Sequence, residues 1–142
     1  MNNPTGANED REKYLKWHLL DDVPEEIYLH SIHDTVDGFQ VALELHENAN
    51  QLLLLNFGEP FSTRVTNSSY LMKTIHNAER EPFPFYTVKN SKWLAWFHEN
   101  TYGIHEQLHP IHSVLATPEE WVEVIHIDKP KYTWIARDTR FT

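Results

Sequence analysis

No cysteine occurs in the 142 residues, which excludes disulfides, thiolate zinc sites and cysteine nucleophiles and fits a reducing cytoplasm. Long apolar runs are missing as well. The longest, the four leucines at 52–55, falls far short of the ~20 residues a helix needs to cross a bilayer. Residues 1–12 are polar and acidic and lack the apolar segment of a signal peptide, so neither a membrane span nor export by a cleaved signal is expected. Glycine is scarce: Gly6, Gly38, Gly58 and Gly103 are scattered, and no phosphate-cradling loop can be assembled from them.

The most informative scarcity is that of bases. Residues 17–63 contain no Lys or Arg but carry Asp21, Asp22, Glu25, Glu26, Asp34, Asp37, Glu44, Glu47 and Glu59. The rest of the chain holds twelve acids and twelve bases, so the whole formal charge of −9 arises in that stretch. A second base-free stretch, 93–128, adds Glu99, Glu106, Glu119, Glu120, Glu123 and Asp128. Concentrated carboxylates repel phosphate and anionic lipid and attract a cationic surface within about a Debye length, ~8 Å at physiological salt. The alternative is a solvated face that only aids solubility. Read as a site, Asp21, Asp22, Glu25, Glu26, Asp37, Glu44 and Glu47 are the candidate partner-binding residues.

What is present points to an α+β fold: a single domain over 13–142 behind a flexible leader at 1–12, mainly antiparallel sheet, with two helices packed on it. Residues 26–33, of mixed patterning, lead as the first strand into Asp37-Gly38, which has the composition of a type I′ hairpin turn. Phe39, Val41, Leu43 and Leu45 then alternate with polar or small neighbours, the period of a half-buried strand. Residues 51–57 form a third strand whose unbroken leucines imply burial on both faces and a central place in the sheet. Together these strands make a three-stranded meander.

Asn67 or Ser68 caps a helix to about Glu79, with Tyr70, Leu71, Thr74, Ile75 and Ala78 on one side. Residues 85–88 read as a short strand, edge-like because Pro84 has no N–H for a ladder. Asn90 or Ser91 caps a second helix in which Trp93, Leu94, Trp96 and Phe97 share an arc, with Trp93, Leu94 and Phe97 expected in the core, and Gly103 ends it. Residues 111–116 are a strand. Thr117-Pro118-Glu119-Glu120 suits a helix start, but the β-branched residues after it favour a turn and a strand. A last strand at 132–136 precedes a tail.

Catalytic patterns are sparse. His105, His109 and His112 have helical spacing, but Pro110 interrupts them, and no carboxylate set or HExxH string accompanies the ten histidines, so no metal site is expected. No GxSxG is present, and a serine among this many His and acids always has nominal triad partners. No catalytic residue and no cofactor are therefore assigned. Nucleic acid is an unsuitable partner because the strands that would form a binding platform lie in base-free sequence.

The most distinctive string is Trp93-Leu94-Ala95-Trp96-Phe97-His98-Glu99-Asn100-Thr101-Tyr102-Gly103-Ile104-His105. With residues 85–90 before it and 111–124 after it, it resembles a group of small uncharacterised bacterial proteins with a WFHExxYGI-like core. The resemblance covers the C-terminal half and transfers no catalytic residue. It implies a bacterial cytoplasmic protein of the acidic kind that acts as immunity partner to a secreted toxin. The expected function is accordingly a non-enzymatic protein-binding domain that inhibits a basic toxin domain. The alternatives are a small ligand-binding or enzymatic domain with a pocket between sheet and aromatic helix, and a homo-oligomeric structural protein.

Overall fold

The computed structural model describes residues 11–46 and 49–141. They form an α+β fold dominated by two antiparallel sheets. One has four strands: β2 (Tyr28–Thr35), β3 (Gly38–Glu44), β4 (Gln51–Asn56) and β9 (Lys131–Ala136), in the order β2-β3-β4-β9. The other has five: β1 (Lys13–Lys16), β5 (Ser62–Asn67), β6 (Phe85–Lys89), β7 (Ile111–Ala116) and β8 (Glu120–His126), in the order β1-β6-β7-β8-β5. Among the described residues there are also two short α-helices, α1 (Met72–Asn77) and α2 (Lys92–Asn100).

The period-2 pattern explains the packing. Val41 pairs with Leu55 and Leu43 with Leu53, so these four side chains share one face of the four-stranded sheet. They meet Phe85, Leu115, Val122 and Val124 of the other sheet in one core cluster that also takes in Leu19 and Ile27. The opposite face of the five-stranded sheet buries Tyr86, Val88, Val114, Ala116 and Trp121. Leu71 and Ile75, from α1 and the residue before it, cover that outer layer together with Tyr14 and Phe83. The meander β2-β3-β4 and the central place of β4 are as the sequence implies.

Several elements differ from expectation for identifiable reasons. The hairpin connection is Val36-Asp37, and of the two residues expected at the turn only Gly38 takes a positive φ, 118°. The Asp37 N–H donates to Thr35 Oγ1, and the Phe39 N–H donates to Gly58 O. A Cβ on Gly38 would stand 3.1 Å from Gly58 Cα, so glycine is required here by close backbone approach. The helix expected from Asn67 opens instead with a 3-10 turn, Ser68–Tyr70. Ser68 donates its N–H to Glu119 O and its hydroxyl to Pro118 O, which ties that turn to the loop before β8. Its Asn67 cap is present, accepting from Ser69 N.

The segment 85–88 is internal rather than edge-like: β1 pairs on one side of β6 and β7 on the other. Pro84 costs no ladder bond because it precedes the strand and its carbonyl accepts from Ala116 N. Of the expected leader, residues 1–10 lie outside the described part. Arg11 and Glu12 make contacts: Arg11 reaches Asn77 O and Glu79, and the Glu12 carboxylate accepts from the first N–H of α2, at Lys92. The expected tail is likewise engaged. Arg137 pairs with Glu44, and the Phe141 ring stacks on His33 at 3.6 Å. Among the described residues no helix is long and apolar enough to cross a membrane.

Candidate functional site

The most ordered polar constellation sits on the outer face of the five-stranded sheet. Register puts His112, Val114 and Ala116 of β7 on the same face as Ile125, Glu123 and Trp121 of β8, and Arg64 of β5 opposite Glu123. Glu123 and His112 are both buried. Ser91, the residue before α2, is 7% exposed. Ser91 Oγ lies 2.7 Å from His112 Nδ1, and His112 Nε2 lies 2.9 Å from Glu123 Oε1. Arg64 closes the chain with two bonds to the same carboxylate, at 2.7 and 3.0 Å. The Trp93 ring covers the Arg64 guanidinium at 4.3 Å and meets the His112 ring in a T-shaped contact at 5.0 Å.

For a neutral His112 ring, donor and acceptor chemistry sets the direction of each bond. The ionised carboxylate only accepts, so His112 Nε2 carries the proton and Nδ1 is the acceptor. Ser91 must then donate its O–H to Nδ1. The Ser91 oxygen in turn accepts from Leu94 N at 3.0 Å, the bond that caps α2. Burial pushes the Glu123 carboxyl up, but the bonds from His112 and Arg64 and the charge of Arg64 outweigh it, and the net direction is down. Glu123 is therefore the anion around which the network is built.

A serine, a histidine and a carboxylate in this sequence have the connectivity of a hydrolytic triad. Two features make the cluster a brace instead. The Ser91 oxygen already accepts from the helix N–H, so attack on a carbonyl would cost α2 its cap. The serine is also buried beneath the start of that helix. The network joins β5, β7 and β8 to α2 and fixes where the helix begins.

What α2 displays follows from that anchor. Phe97 is buried and stacks on Phe61 at 5.1 Å, with His105 against both rings. Trp93 and Leu94 are only partly buried, and Trp96 is 52% exposed. The aromatic arc expected to be core is thus split, because a nine-residue helix on a sheet buries one seam. Beyond the helix, Tyr102 is 94% and Ile104 73% exposed, with Leu108 also in solvent. Tyr102 has φ +54° and His109 φ +51°. That left-handed conformation costs a non-glycine residue ~1 kcal/mol or more and concentrates at functional positions. Glu99 and Glu106 flank Tyr102 and line the same shallow depression with His98. No base occurs anywhere in 93–128.

The residues singled out from sequence are placed differently. Asp21, Asp22, Glu25 and Glu26 are exposed in the segment between β1 and β2. Asp21 and Asp22 line a cavity of about 500 Å³ together with Leu45 and Trp134. Asp37 stands at the β2–β3 turn and Glu44 at the other end of β3, ~20 Å away along a seven-residue strand. Glu44 is also not base-free in space, since Arg137, just after β9, pairs with it. Glu47 lies outside the described residues. Of the histidine trio, His112 is spent in the buried network, His105 stacks on Phe61 and Phe97, and His109 ends a 3-10 turn. Among the described residues no group of three His, Asp or Glu side chains is arranged to hold a metal ion.

A second concavity, about 690 Å³, opens between β1, α1 and the start of α2, with Arg11, Lys73 and Lys92 around Tyr14, Thr74 and Asn77. Burial raises the Tyr14 phenol well above its ordinary range, and Glu12 and Glu123 push it the same way. It therefore stays a neutral hydroxyl. The signal that sequence reasoning missed was Glu123 itself, a carboxylate that shares the outer face with Trp121 and Ile125 and interrupts the apolar residues at the centre of β8. No family model, no curated protein and no solved structure matches this chain.

Proposed function

We propose that this chain is a non-enzymatic, cytoplasmic protein-binding domain, an immunity-type inhibitor whose partner is a basic bacterial toxin domain. The observation that carries the reading is the surface of α2 and the loop after it. Exposed Trp96, Tyr102, Ile104 and Leu108 are flanked by Glu99 and Glu106, in a stretch without a base. Large aromatics are the side chains that most often anchor an interface. Carboxylates around them speed encounter with a cationic surface and reject anionic ones. Nucleases need basic surfaces to hold phosphate, so an acidic aromatic face both finds such an enzyme and covers its groove. The acids at Asp21 and Asp22 lie apart from this surface and extend the negative field instead of forming the contact.

The test is co-purification with the product of the adjacent gene, followed by association kinetics at low and high salt. The on-rate is expected to fall steeply as salt rises. Tyr102→Ala is expected to weaken the complex about 30-fold, the size of a hot-spot residue, without changing the fold of the free protein. An on-rate indifferent to salt, or a complex unaffected by Tyr102→Ala combined with Trp96→Ala, overturns the reading. A ligand-binding domain is the second reading, favoured by the concavity at Arg11, Lys73 and Lys92. Saturable binding of a small anion there, with no protein partner recovered, would support it.

A further inference from the structure

We propose that β9 is a self-association edge, and that two copies of this chain join their four-stranded sheets through antiparallel pairing of β9 with β9. The four strand edges of the two sheets are unequal. β1 is four residues long and begins and ends in lysine, and β2 carries a register shift between Leu29 and Ser31. β5 is a polar strand with Arg64 at its middle. Short length, charge and bulges are the devices that keep an edge from pairing. β9 has none of them beyond Lys131 at its first position. It is six residues long, regular in its pairing with β4, and free of internal proline. It is the outermost strand of its sheet, with Thr139 N donating to Ala136 O at its end, and Arg137, just after it, turns inward to Glu44 and Asn50.

The side chains on this edge point to the same occupant. Tyr132 pairs with Leu55 and Trp134 with Leu53, whose side chains are core. Both aromatics therefore face the sandwich interior, yet they remain 48% and 46% exposed because the sheet stops there. A second copy related by a two-fold axis at Thr133 sets Tyr132 opposite Trp134 of the other chain, and Trp134 opposite its Tyr132. Cross-strand aromatic pairs of this kind are favourable. Lys131, the charged residue of the strand, then faces Ile135, so no like charges oppose each other. The result is one continuous eight-stranded sheet in which the open rim of each core is closed by the other. The proposed partner face on α2 lies on the other sheet and stays free, so the dimer presents it twice.

Sedimentation velocity of the intact chain tests this directly, with a particle of twice the 16.8 kDa chain mass expected. Thr133 is exposed, so Thr133→Lys and Thr133→Glu leave the fold intact, which circular dichroism checks. Each substitution puts two like charges on the axis and is expected to give monomer. An equimolar mixture of the two is expected to restore the dimer by pairing opposite charges. A monomeric wild type at high concentration overturns the proposal, as does a dimer that both substitutions leave unchanged. A complex between wild-type β9 and an unrelated strand-forming protein, with no self-association, would replace the second copy by a different occupant and also overturn it.

Discussion

Replacing Ser91 with alanine separates a structural brace from a catalytic nucleophile, because the two predict opposite phenotypes. The hydroxyl makes two bonds, accepting from Leu94 N at 3.0 Å and donating to His112 Nδ1 at 2.7 Å. Loss of an N-cap typically costs ~1 kcal/mol. Leaving the ring nitrogen of a fully buried histidine without its donor costs about 1–3 kcal/mol more. Together the two losses amount to about 2–4 kcal/mol. For a chain of this length that corresponds to a fall in Tm of roughly 6–15 °C. Urea denaturation of wild type and Ser91→Ala gives the number, with Ser69→Ala, at an exposed serine, as a control expected within ~0.5 kcal/mol. A loss below about 0.5 kcal/mol at Ser91 would refute the brace. So would a hydrolytic turnover of the wild type that Ser91→Ala abolishes while stability is retained.

Two further outcomes are expected. Phe97→Ala, which empties a site between Phe61 and His105, should cost ~3–5 kcal/mol, whereas Trp96→Ala should cost under about 0.5 kcal/mol. Equal costs in chemical denaturation would mean the exposed and buried faces of α2 are misassigned. Stability should also fall on acidification in two stages. Burial holds the His126 imidazole below its usual value, only partly countered by the bond to Asp128 O. Below about pH 6.5 the unfolded chain therefore takes up a proton that the folded chain resists, and stability drops. The depressed Glu123 carboxyl adds its loss below about pH 4.5, where the unfolded state protonates first. His126→Gln should flatten the first stage when Tm is followed from pH 7.5 to 5; an unchanged slope would assign it to other groups.

The sandwich was legible wherever one strand carried its own pattern. Alternation at Phe39, Val41 and Leu43 and the leucines of β4 identified the meander, because burial on one face or two writes a period into the sequence. β1 and β5 were not legible. Lys13-Tyr14-Leu15-Lys16 is too short for a period, and Ser62–Asn67 is polar, so each is a strand only because β6 or β8 offers it a ladder. The site divides in the same way. The cap at Ser91 is a local signal and was readable, whereas its bond to His112 joins residues 21 positions apart and depends on the packing of a helix on a sheet. Acid clustering along the chain misled for a related reason. Asp37 and Glu44 are close in sequence but stand at opposite ends of a strand, and Arg137 is distant in sequence but adjacent in space.

The brace and the displayed surface sit at opposite ends of one helix, and that arrangement bears on binding. At its first turn α2 is held by Ser91, by the Glu12 carboxylate on Lys92 N and by Trp93 stacked on Arg64. Past its last turn, Thr101 caps through Phe97 O and the Gly103 N–H closes on His98 O, so the chain leaves the helix in a defined direction at Tyr102. A partner that docks on Tyr102 and Ile104 therefore meets side chains whose backbone is already ordered, and the entropy of ordering a loop is not charged against the complex. Weakening the brace should then act at a distance. Glu123→Gln, which keeps an acceptor for His112 but removes the charge that holds Arg64, should lower affinity chiefly through a slower on-rate or a smaller competent fraction, with the contacts themselves intact. Should Glu123→Gln destabilise the fold yet bind with wild-type kinetics, the anchored end of α2 and its displayed end would be energetically independent.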